Sequence, residues 1–308
     1  MAETPVFSVV IAAHNAARTL PSTLRSVLAQ TRPDFEVIVV DDGSTDGTGE
    51  ALRSVRDDRI AYVRQANLGP AAARNAGIER AAGEYVCLLD SDDLWLPDYL
   101  ETMGAAMAPD TSIGLAYTDA WRLDDVKRRV LRRTSMSACR PPRQPPVERD
   151  ALLLRLLEIN FVYNSATVRR RVLEDVGGFK TFTRSEDYEL WLRIAASGAR
   201  FVNAGKVLAV YRRRPDSRFR HDPIAPVRGR IEILEHVLAT YDLTEAQRSV
   251  VERRLRDARQ QLATLVTVDA APAESSSGRL RRLAHDLRLY RLRAPRVVSR
   301  AFPDLRTI

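Results

Sequence analysis

The sequence contains only two cysteines, Cys87 and Cys139, among its 308 residues. The first lies inside an apolar run, and two cysteines are too few for a disulfide framework or a cysteine-ligated zinc site. No uninterrupted apolar stretch reaches the roughly 18 residues that a membrane-spanning helix needs. The N-terminus also carries Glu3, where a signal peptide needs positive charge. We therefore expect a cytoplasmic protein that does not cross a membrane by itself.

Acidic residues are outnumbered by basic ones, 40 against 48, which gives a net charge of +8 and a sequence pI of about 9.8. This balance favours anionic partners such as phosphates, nucleic acid or acidic lipid, and charge alone does not select among them. A hydrophobic content of 45% can supply one large core or two unequal domains. We interpret the chain as one catalytic domain over residues 1–225, followed by a helical extension over residues 226–308.

Short apolar runs rich in β-branched residues alternate with segments of helical length. The runs are typical of strands covered on both faces, and they lie at Phe7–Ala13, Phe35–Val40 and Tyr85–Leu89. Helical spacing is found between them, at Thr19–Gln30, Asp46–Val55 and Pro70–Ala82. This alternation predicts an α/β fold with a doubly wound, mostly parallel sheet flanked by helices. Ligands of such sheets bind beyond the carboxyl ends of the strands.

Proline marks the predicted divisions of the chain. Pro141–Pro146 predicts a loop between a nucleotide half, about residues 1–120, and an acceptor half, about residues 121–225. From about Pro226 onward the pattern is helical, except for Ala270–Gly278, which is typical of a linker.

Aspartates follow two of the predicted strands. Asp41, Asp42 and Asp46 come after the second run, and Asp90-Ser91-Asp92-Asp93 comes after the third. Carboxylates gathered at one sheet edge would repel each other unless a cation or donor groups lay between them, and Mg²⁺ and Mn²⁺ prefer oxygen ligands. The pattern favours a metal that bridges to phosphate oxygens. Turn formation and helix capping could also explain the aspartates after the second strand, but capping needs one such residue and not three.

Five segments, in this order, resemble the family 2 glycosyltransferases of the GT-A fold: Ser8–Asn15, Val39–Thr48, Asn67–Ile78, Gly83–Asp93 and Ser185–Arg193. The match extends over roughly residues 6 to 215. The resemblance implies a Rossmann-like GT-A core, a nucleotide-sugar donor and a divalent Mn²⁺ or Mg²⁺. It also implies a glycan or lipid-linked acceptor, and UDP-sugars are the donors that the family uses most often.

The resemblance implies roles for individual residues as well. Asp92 would bind the metal, and Asp187 would be the general base of an inverting transfer, taking the proton of the acceptor hydroxyl. Nucleotide and donor contacts would come from Ala13, Asn15, Asp42, Arg74, Asn75, Asp90, Ser91 and Asp93. Acceptor contacts would come from Asn164, Glu186 and Trp191, with Tyr163 and Ser165 beside them. The residues alone leave open a capping box of Thr183 and Glu186, in which Asp187 merely favours a helix N-terminus.

One segment departs from the family pattern. Where the family often carries a histidine in a Tyr-Arg-x-His-Pro sequence, this chain has Tyr211-Arg212-Arg213-Arg214-Pro215. Arginine cannot ligate a cation but pairs with phosphate as a fork, so we expect Arg214 to steady the leaving diphosphate. The Gln-x-x-Arg-Trp signature of processive polymerases is also missing, which predicts transfer of one or a few sugars.

The last part of the sequence is strongly basic. Between Arg279 and Arg300 there are eight arginines and one acid, with Leu280, Leu283 and Leu287 on one side of a helix. This arrangement is typical of a helix at an anionic membrane surface, here the inner face of the membrane. The same leucines could instead pack on the catalytic domain or on a second subunit of a homo-oligomer.

Other classes of protein fit the sequence less well. A catalytically silent nucleotide or nucleic-acid binding module would not need two acidic strand ends, and no aromatic-rich face for single strands is present, so we expect no nucleic-acid partner. A dehydrogenase would need Gly-x-Gly-x-x-Gly after the first strand, where Ala12-Ala13-His14-Asn15 stands instead. An aspartyl phosphatase would need a second aspartate two residues after its nucleophile and a clear partner for the pair.

Overall fold

The computed structural model describes residues 4–125, 129–135, 142–214, 222 and 224–269. The predicted linker at Ala270–Gly278 and the basic stretch from Arg279 to Arg300 lie outside the described residues. Within them, Pro142–Pro146 is neither helix nor strand, in agreement with the predicted loop. Over the same residues, no helix combines the length and the hydropathy that crossing a bilayer requires.

The described residues form nine strands and nine helices. The strands are β1 (Phe7–Ala13), β2 (Phe35–Asp42), β3 (Ile60–Gln65), β4 (Tyr85–Asp90), β5 (Leu94–Trp95), β6 (Ile113–Asp124), β7 (Arg129–Thr134), β8 (Ala166–Arg169) and β9 (Arg200–Arg213). The helices are α1 (Leu20–Leu28), α2 (Thr48–Arg53), α3 (Pro70–Ile78), α4 (Tyr99–Met107), α5 (Arg149–Glu158), α6 (Arg170–Val176), α7 (Glu186–Ala196), α8 (Ala225–Thr240) and α9 (Glu245–Asp269).

One mixed sheet runs through the molecule in the order β3-β2-β1-β4-β8-β6-β9-β5, with β7 paired to β6. Strands β3, β2, β1 and β4 are parallel to one another. Phe7 of β1 pairs in register with Phe35 of β2 and Tyr85 of β4. Beyond β4 the pairing becomes antiparallel at β8 and then mixed. The predicted α/β class and its mostly parallel, helix-flanked sheet are therefore confirmed.

The three predicted strands are present because their side chains are covered on both faces. Val9, Val37 and Cys87 are completely buried, as continuous apolar runs in parallel strands require. The three predicted helices are present as α1, α2 and α3, each a few residues shorter than predicted. Strand β3 was not predicted; it is an edge strand whose Ala61 and Tyr62 are exposed, and its apolar run, residues 60–63, is short and followed at once by Arg64 and Gln65.

The C-terminal helices α8 and α9 pack against each other and close one side of the catalytic core. Ile233 and Val237 of α8 and Val251 of α9 are fully buried, and α9 also lies against α5. Arg254 of α9 donates to the hydroxyl of Tyr188 in α7 at 2.9 Å. The predicted helical extension is thus confirmed as far as residue 269, while a domain boundary at residues 225 and 226 stays a prediction.

Candidate active site

A cleft of about 500 Å³ opens at the carboxyl ends of β1, β2 and β4, where the fold class places its ligands. Most of the predicted site residues line it, namely Ala13, Asp42, Arg74, Asp90, Ser91, Asp92, Asn164, Glu186, Asp187 and Arg214. Four others, Asn15, Asn75, Asp93 and Trp191, do not. The cleft is also lined by Phe182, Thr183 and Arg184, which the sequence reasoning did not assign to it.

Asp42, at the end of β2, has a carboxylate held by three donors. Gln65 Nε2 donates to Oδ1 at 2.8 Å, and the backbone N–H groups of Leu68 and Gly69 donate to Oδ1 and Oδ2 at 2.9 Å each. The ring of His14 donates through Nδ1 to the Asp42 carbonyl oxygen at 2.8 Å. Asp42 therefore fixes the loop that leads into α3 and stands at the floor of the cleft, where its contact with a nucleotide stays a prediction.

Asn15 lies outside the cleft. Its backbone N–H donates to Ser44 Oγ, and its side-chain oxygen accepts from the Thr45 N–H, both at 2.9 Å. It has a left-handed φ of 49°, which asparagine tolerates better than most residues. The side chain thus ties the loop after β1 to the loop after β2, and its contact with the donor stays a prediction.

Arg74 of α3 bridges the two sides of the cleft. Its Nη2 donates to Asp90 Oδ1 at 2.9 Å, and its Nη1 donates to Glu186 Oε1 at 2.6 Å. The guanidinium also lies over the Phe179 ring, with Cζ 5.2 Å from the centroid. Only 13% of the side chain is exposed, which excludes a merely solvated helix residue. One cation thereby joins the acidic loop after β4 to the first turn of α7.

Asn75, the next residue, uses its whole amide to hold a turn. Its Nδ2 donates to the Phe179 carbonyl at 2.8 Å, and its Oδ1 accepts from the Phe179 N–H at 2.7 Å. Gly178, with a φ of 64°, lies so close that a Cβ there would be 2.6 Å from Asn75 Oδ1. The expectation that Asn75 holds the nucleotide is therefore corrected, because both of its polar atoms are engaged with the turn before α7.

The three acids after β4 have different surroundings. Asp90 accepts hydrogen bonds from Arg74 and from Asn164 Nδ2. Asp93 is completely buried and accepts from the Tyr163 hydroxyl and, at 3.0 Å, from the Arg212 N–H. This burial corrects the expectation that Asp93 contacts the donor, since its role is to anchor the loop from below.

Asp92 presents its carboxylate to the cleft, 3.4 Å from Arg214 Nε. Burial and the neighbouring charge of Asp90 raise the pKa of Asp92 to about 6, while Arg214 and Arg212 oppose the rise. A carboxylate that is costly to ionise in this way is stabilised by an added cation.

Arg212 of β9 fixes the backbone beside Asp92, and sequence reasoning missed it. Its Nε donates to the Asp92 carbonyl at 2.8 Å and its Nη2 to Ser22 Oγ at 3.0 Å, while Nη1 lies 3.3 Å from Asp125 Oδ1. The side chain is 9% exposed. Three adjacent arginines gave no signal by which Arg212 could be told from its neighbours.

The residues present fit a divalent ion whose coordination would be completed by the substrate. Within residues 4–269, as far as they are described, no three His, Cys, Asp or Glu side chains form a metal-binding group. Mg²⁺ is usually held by one or two carboxylates together with substrate phosphates and water, and Asp92 supplies one such carboxylate. Asp92 is the acid through which such an ion would be held.

Asp187 lies across the cleft, in the first turn of α7. Its Oδ1 accepts from the Tyr188 N–H at 2.8 Å. Burial and the adjacent Glu186 raise its pKa to about 6, and Arg74 opposes the rise. The alternative of a capping box is excluded, because Glu186 is paired with Arg74 and the Thr183 N–H donates to Glu232 instead. The carboxylate has the pKa that suits a general base near neutral pH.

The predicted acceptor residues divide into two groups. Asn164 and Glu186 line the cleft. Trp191 lies one turn beyond Asp187 along α7 and is completely buried in the core, so its assignment as an acceptor contact is corrected. Tyr163 and Ser165 are also buried, the former beneath Asp93.

This largely parallel α/β sheet with acidic residues at one strand end is the architecture of the GT-A glycosyltransferases. The chain belongs to glycosyl transferase family 2, whose model matches residues 8–177. It is 31% identical over 281 residues to the succinoglycan biosynthesis protein ExoO of Rhizobium meliloti, covering 90% of this chain and 80% of the relative.

A second relative is the UDP-Glc:alpha-D-GlcNAc-diphosphoundecaprenol beta-1,3-glucosyltransferase WfaP of Escherichia coli, 28% identical over 206 residues, or 67% of this chain and 76% of the relative. Two solved structures share the fold. S. aureus TarS in complex with UDP-GlcNAc has a TM-score of 0.65 and 23% identity over 81% of this chain and 71% of that chain. The mannosyltransferase PcManGT of Pyrobaculum calidifontis, in complex with GDP-Man and Mn²⁺, has a TM-score of 0.62 and 22% identity, over 94% of this chain and 82% of that chain.

Proposed function

We propose that the protein catalyses an inverting, non-processive transfer of one sugar from a nucleotide-sugar donor to a hydroxyl group of a lipid-linked or envelope-polysaccharide precursor, with Mn²⁺ or Mg²⁺. The observation that carries this proposal is that Asp92 and Asp187, both with a pKa raised to about 6, line one cleft from two different elements. The names of the relatives from R. meliloti and E. coli support the class of acceptor.

On the donor side, the floor of the cleft would receive the nucleotide at Ala13 and Asp42. Asp90 and Ser91 would lie beside the ribose or donor sugar, and Asp92 would hold the metal. A bound divalent ion supplies charge neutralisation to the leaving diphosphate. Arg214 would pair with the same group, since its guanidinium already lies beside Asp92. A UDP-sugar is the donor we favour.

On the acceptor side, Asp187 would accept the proton of the attacking hydroxyl. As that proton leaves, the acceptor oxygen forms its bond to the anomeric carbon, and the bond from that carbon to the diphosphate oxygen breaks. A pKa of about 6 leaves Asp187 ionised at neutral pH and makes it a stronger base than an ordinary aspartate. A single displacement of this kind inverts the anomeric configuration.

A donor screen tests the proposal. Thermal shift with UDP-, GDP-, dTDP- and CDP-sugars, each with and without Mn²⁺, should show stabilisation by one nucleotide class that depends on the metal. Transfer with that donor should then be lost in Asp187→Asn while donor binding remains. Binding without any turnover of the wild type would favour a silent nucleotide-binding module instead.

We also propose that the enzyme works in the cytoplasm at the inner face of the membrane, where a lipid-linked acceptor would be found. The basic stretch from Arg279 to Arg300 supports this, because each basic residue near an anionic surface contributes about 1 kcal/mol of attraction. Assembly of this stretch with a second subunit remains the alternative prediction.

A further inference from the structure

Helix α8 lies against the loop that forms the acceptor side of the cleft. We call residues 180–185 the acceptor loop; they lead from the turn at Phe179 into α7. Phe182, Thr183 and Arg184 of this loop line the cleft. No described residue of α8 lines it, so the helix is not in direct contact with the cleft and lies behind the loop.

The closest approach is at Gly229 of α8. A Cβ at this position would lie 2.7 Å from Arg184 Cβ, 2.9 Å from the Arg184 carbonyl oxygen and 3.0 Å from its nitrogen. Two of these three atoms belong to backbone, which cannot turn aside as the end of a long side chain can. Glycine is otherwise a poor choice inside a helix, because alanine is the better helix former. Its presence here is explained by the closeness of the loop.

Two further contacts on the same face of α8 hold the loop. Glu232 Oε2 accepts from the Thr183 N–H at 2.9 Å. The His236 ring packs edge-on against Phe182 with centroids 5.5 Å apart, and its Nε2 lies 3.7 Å from Glu189 Oε1 in α7. Gly229, Glu232 and His236 are spaced at three and four residues, which places them on one side of the helix. Three consecutive loop residues are thus each held by one residue of α8.

We infer that α8 is a positioning element that sets the conformation of the acceptor loop and, through it, the orientation of Asp187. Ser185, the last residue of the loop before α7, has a left-handed φ of 63°, a conformation that a serine keeps only when its surroundings impose it. On the other side of α7, Arg74 holds Glu186 at 2.6 Å. The first turn of α7 is therefore held between α3 and α8, and Gly229 and Glu232 are the positioning residues. The catalytic consequence rests on the proposed function.

The test uses Gly229→Ala, Glu232→Ala and Glu232→Gln in the full chain. Glu235→Ala is the matched control, because Glu235 lies on the exposed side of α8 and, among the described residues, pairs with Arg259 at 2.7 Å. Hydrogen–deuterium exchange of amides 180–188 reports the loop without any substrate. Gly229→Ala and Glu232→Ala should speed that exchange about 10-fold and leave amides 88–93 unchanged. Glu232→Gln should restore slow exchange, since its amide oxygen still accepts from Thr183.

Kinetics separate positioning from a general loss of structure. The assay uses Mn²⁺, a short-chain polyprenyl diphosphate N-acetylglucosamine as acceptor, and UDP-glucose, UDP-N-acetylglucosamine or GDP-mannose as donor. In this assay kcat of Gly229→Ala should fall about 10-fold to 100-fold relative to the wild type. The donor Kd should stay within about 2-fold, because none of the residues proposed to contact the donor belongs to the acceptor loop or to α8. Melting temperatures confirm that each variant is folded.

The inference is overturned if exchange at 180–188 is unchanged in both Gly229→Ala and Glu232→Ala, or if Glu235→Ala changes it equally. Failure of the proposed function would look different. Exchange would rise in the two variants as expected, while the wild type would transfer sugar from none of the donors.

Discussion

Asp187→Asn is expected to stabilise the fold at alkaline pH while it removes activity. The folded protein raises the pKa of Asp187 to about 6 from an ordinary value of 3.8, chiefly by burial. A difference of about two pH units corresponds to roughly 3 kcal/mol of unfavourable ionisation in the folded state. Because the side chain is partly exposed, solvent screening reduces the expected gain to about 1–2 kcal/mol.

The stability gain of Asp187→Asn should depend on pH. A carboxyl group whose folded pKa is raised is least costly below its unfolded pKa, and the cost of burying it grows as the pH rises from the unfolded pKa to the folded pKa, above which it is constant. The asparagine of the variant cannot ionise, and its amide oxygen can still accept from the Tyr188 N–H, as the carboxylate does at 2.8 Å. The variant should therefore gain stability over the wild type at pH 8 and lose that advantage near pH 4.

Urea unfolding at pH 8 and pH 4 measures the gain, with Asp242→Asn at an exposed position as the control. Turnover of Asp187→Asn should fall by about 10²-fold or more, as for loss of a general base. A variant no more stable than the wild type at pH 8, or one with the same gain at both pH values, would refute the reasoning about the environment of Asp187.

Three other changes test the remaining parts of the account. Asp92→Asn should abolish transfer and weaken Mn²⁺-dependent nucleotide binding by about 10-fold or more in calorimetry, because one anionic ligand is lost; normal activity would remove Asp92 from the metal site. Arg214→Ala should raise the donor KM or lower kcat by about 10-fold, and unchanged steady-state kinetics would show that Arg214 does not reach the diphosphate. A chain truncated after Ala273 should stop co-floating with anionic liposomes yet still bind nucleotide, whereas a full-length protein that never floats at low salt would make the tail an assembly or packing element.

The parallel half of the sheet could be predicted because burial on both faces leaves a direct mark in the sequence. β1, β2 and β4 are continuous apolar runs, and the latter two end in aspartates, so both the strands and the position of the acidic residues follow from one pattern. The edge strand β3 is partly exposed, and β6 and β9 mix apolar residues with polar and charged ones, so this pattern does not identify them. The pairing of the strands beyond β4 depends on contacts between distant parts of the chain, antiparallel for β4 with β8 and parallel for β6 with β9.

The site residues show a second limit. Motifs indicate which residues matter, but they do not show whether a side chain points toward a ligand or supports the fold. Asn75, Asp93 and Trp191 stand at motif positions, yet their side chains hold a turn, anchor a loop and fill the core. Arg212 had no motif to distinguish it, although it binds the backbone at Asp92. Only the packing of α3, α7 and β9 around the cleft separates these roles.

The central claim, a single displacement assisted by Asp187, is tested most directly by the anomeric configuration of the product. Proton NMR should follow the reaction from its start with the donor that the thermal-shift screen selects, so that the first-formed product is observed before any equilibration. An α-linked nucleotide sugar should give only the β-linked product, at a rate that Asp187→Asn lowers about 10²-fold. An α-linked product, or an unchanged rate in the variant, would contradict the account.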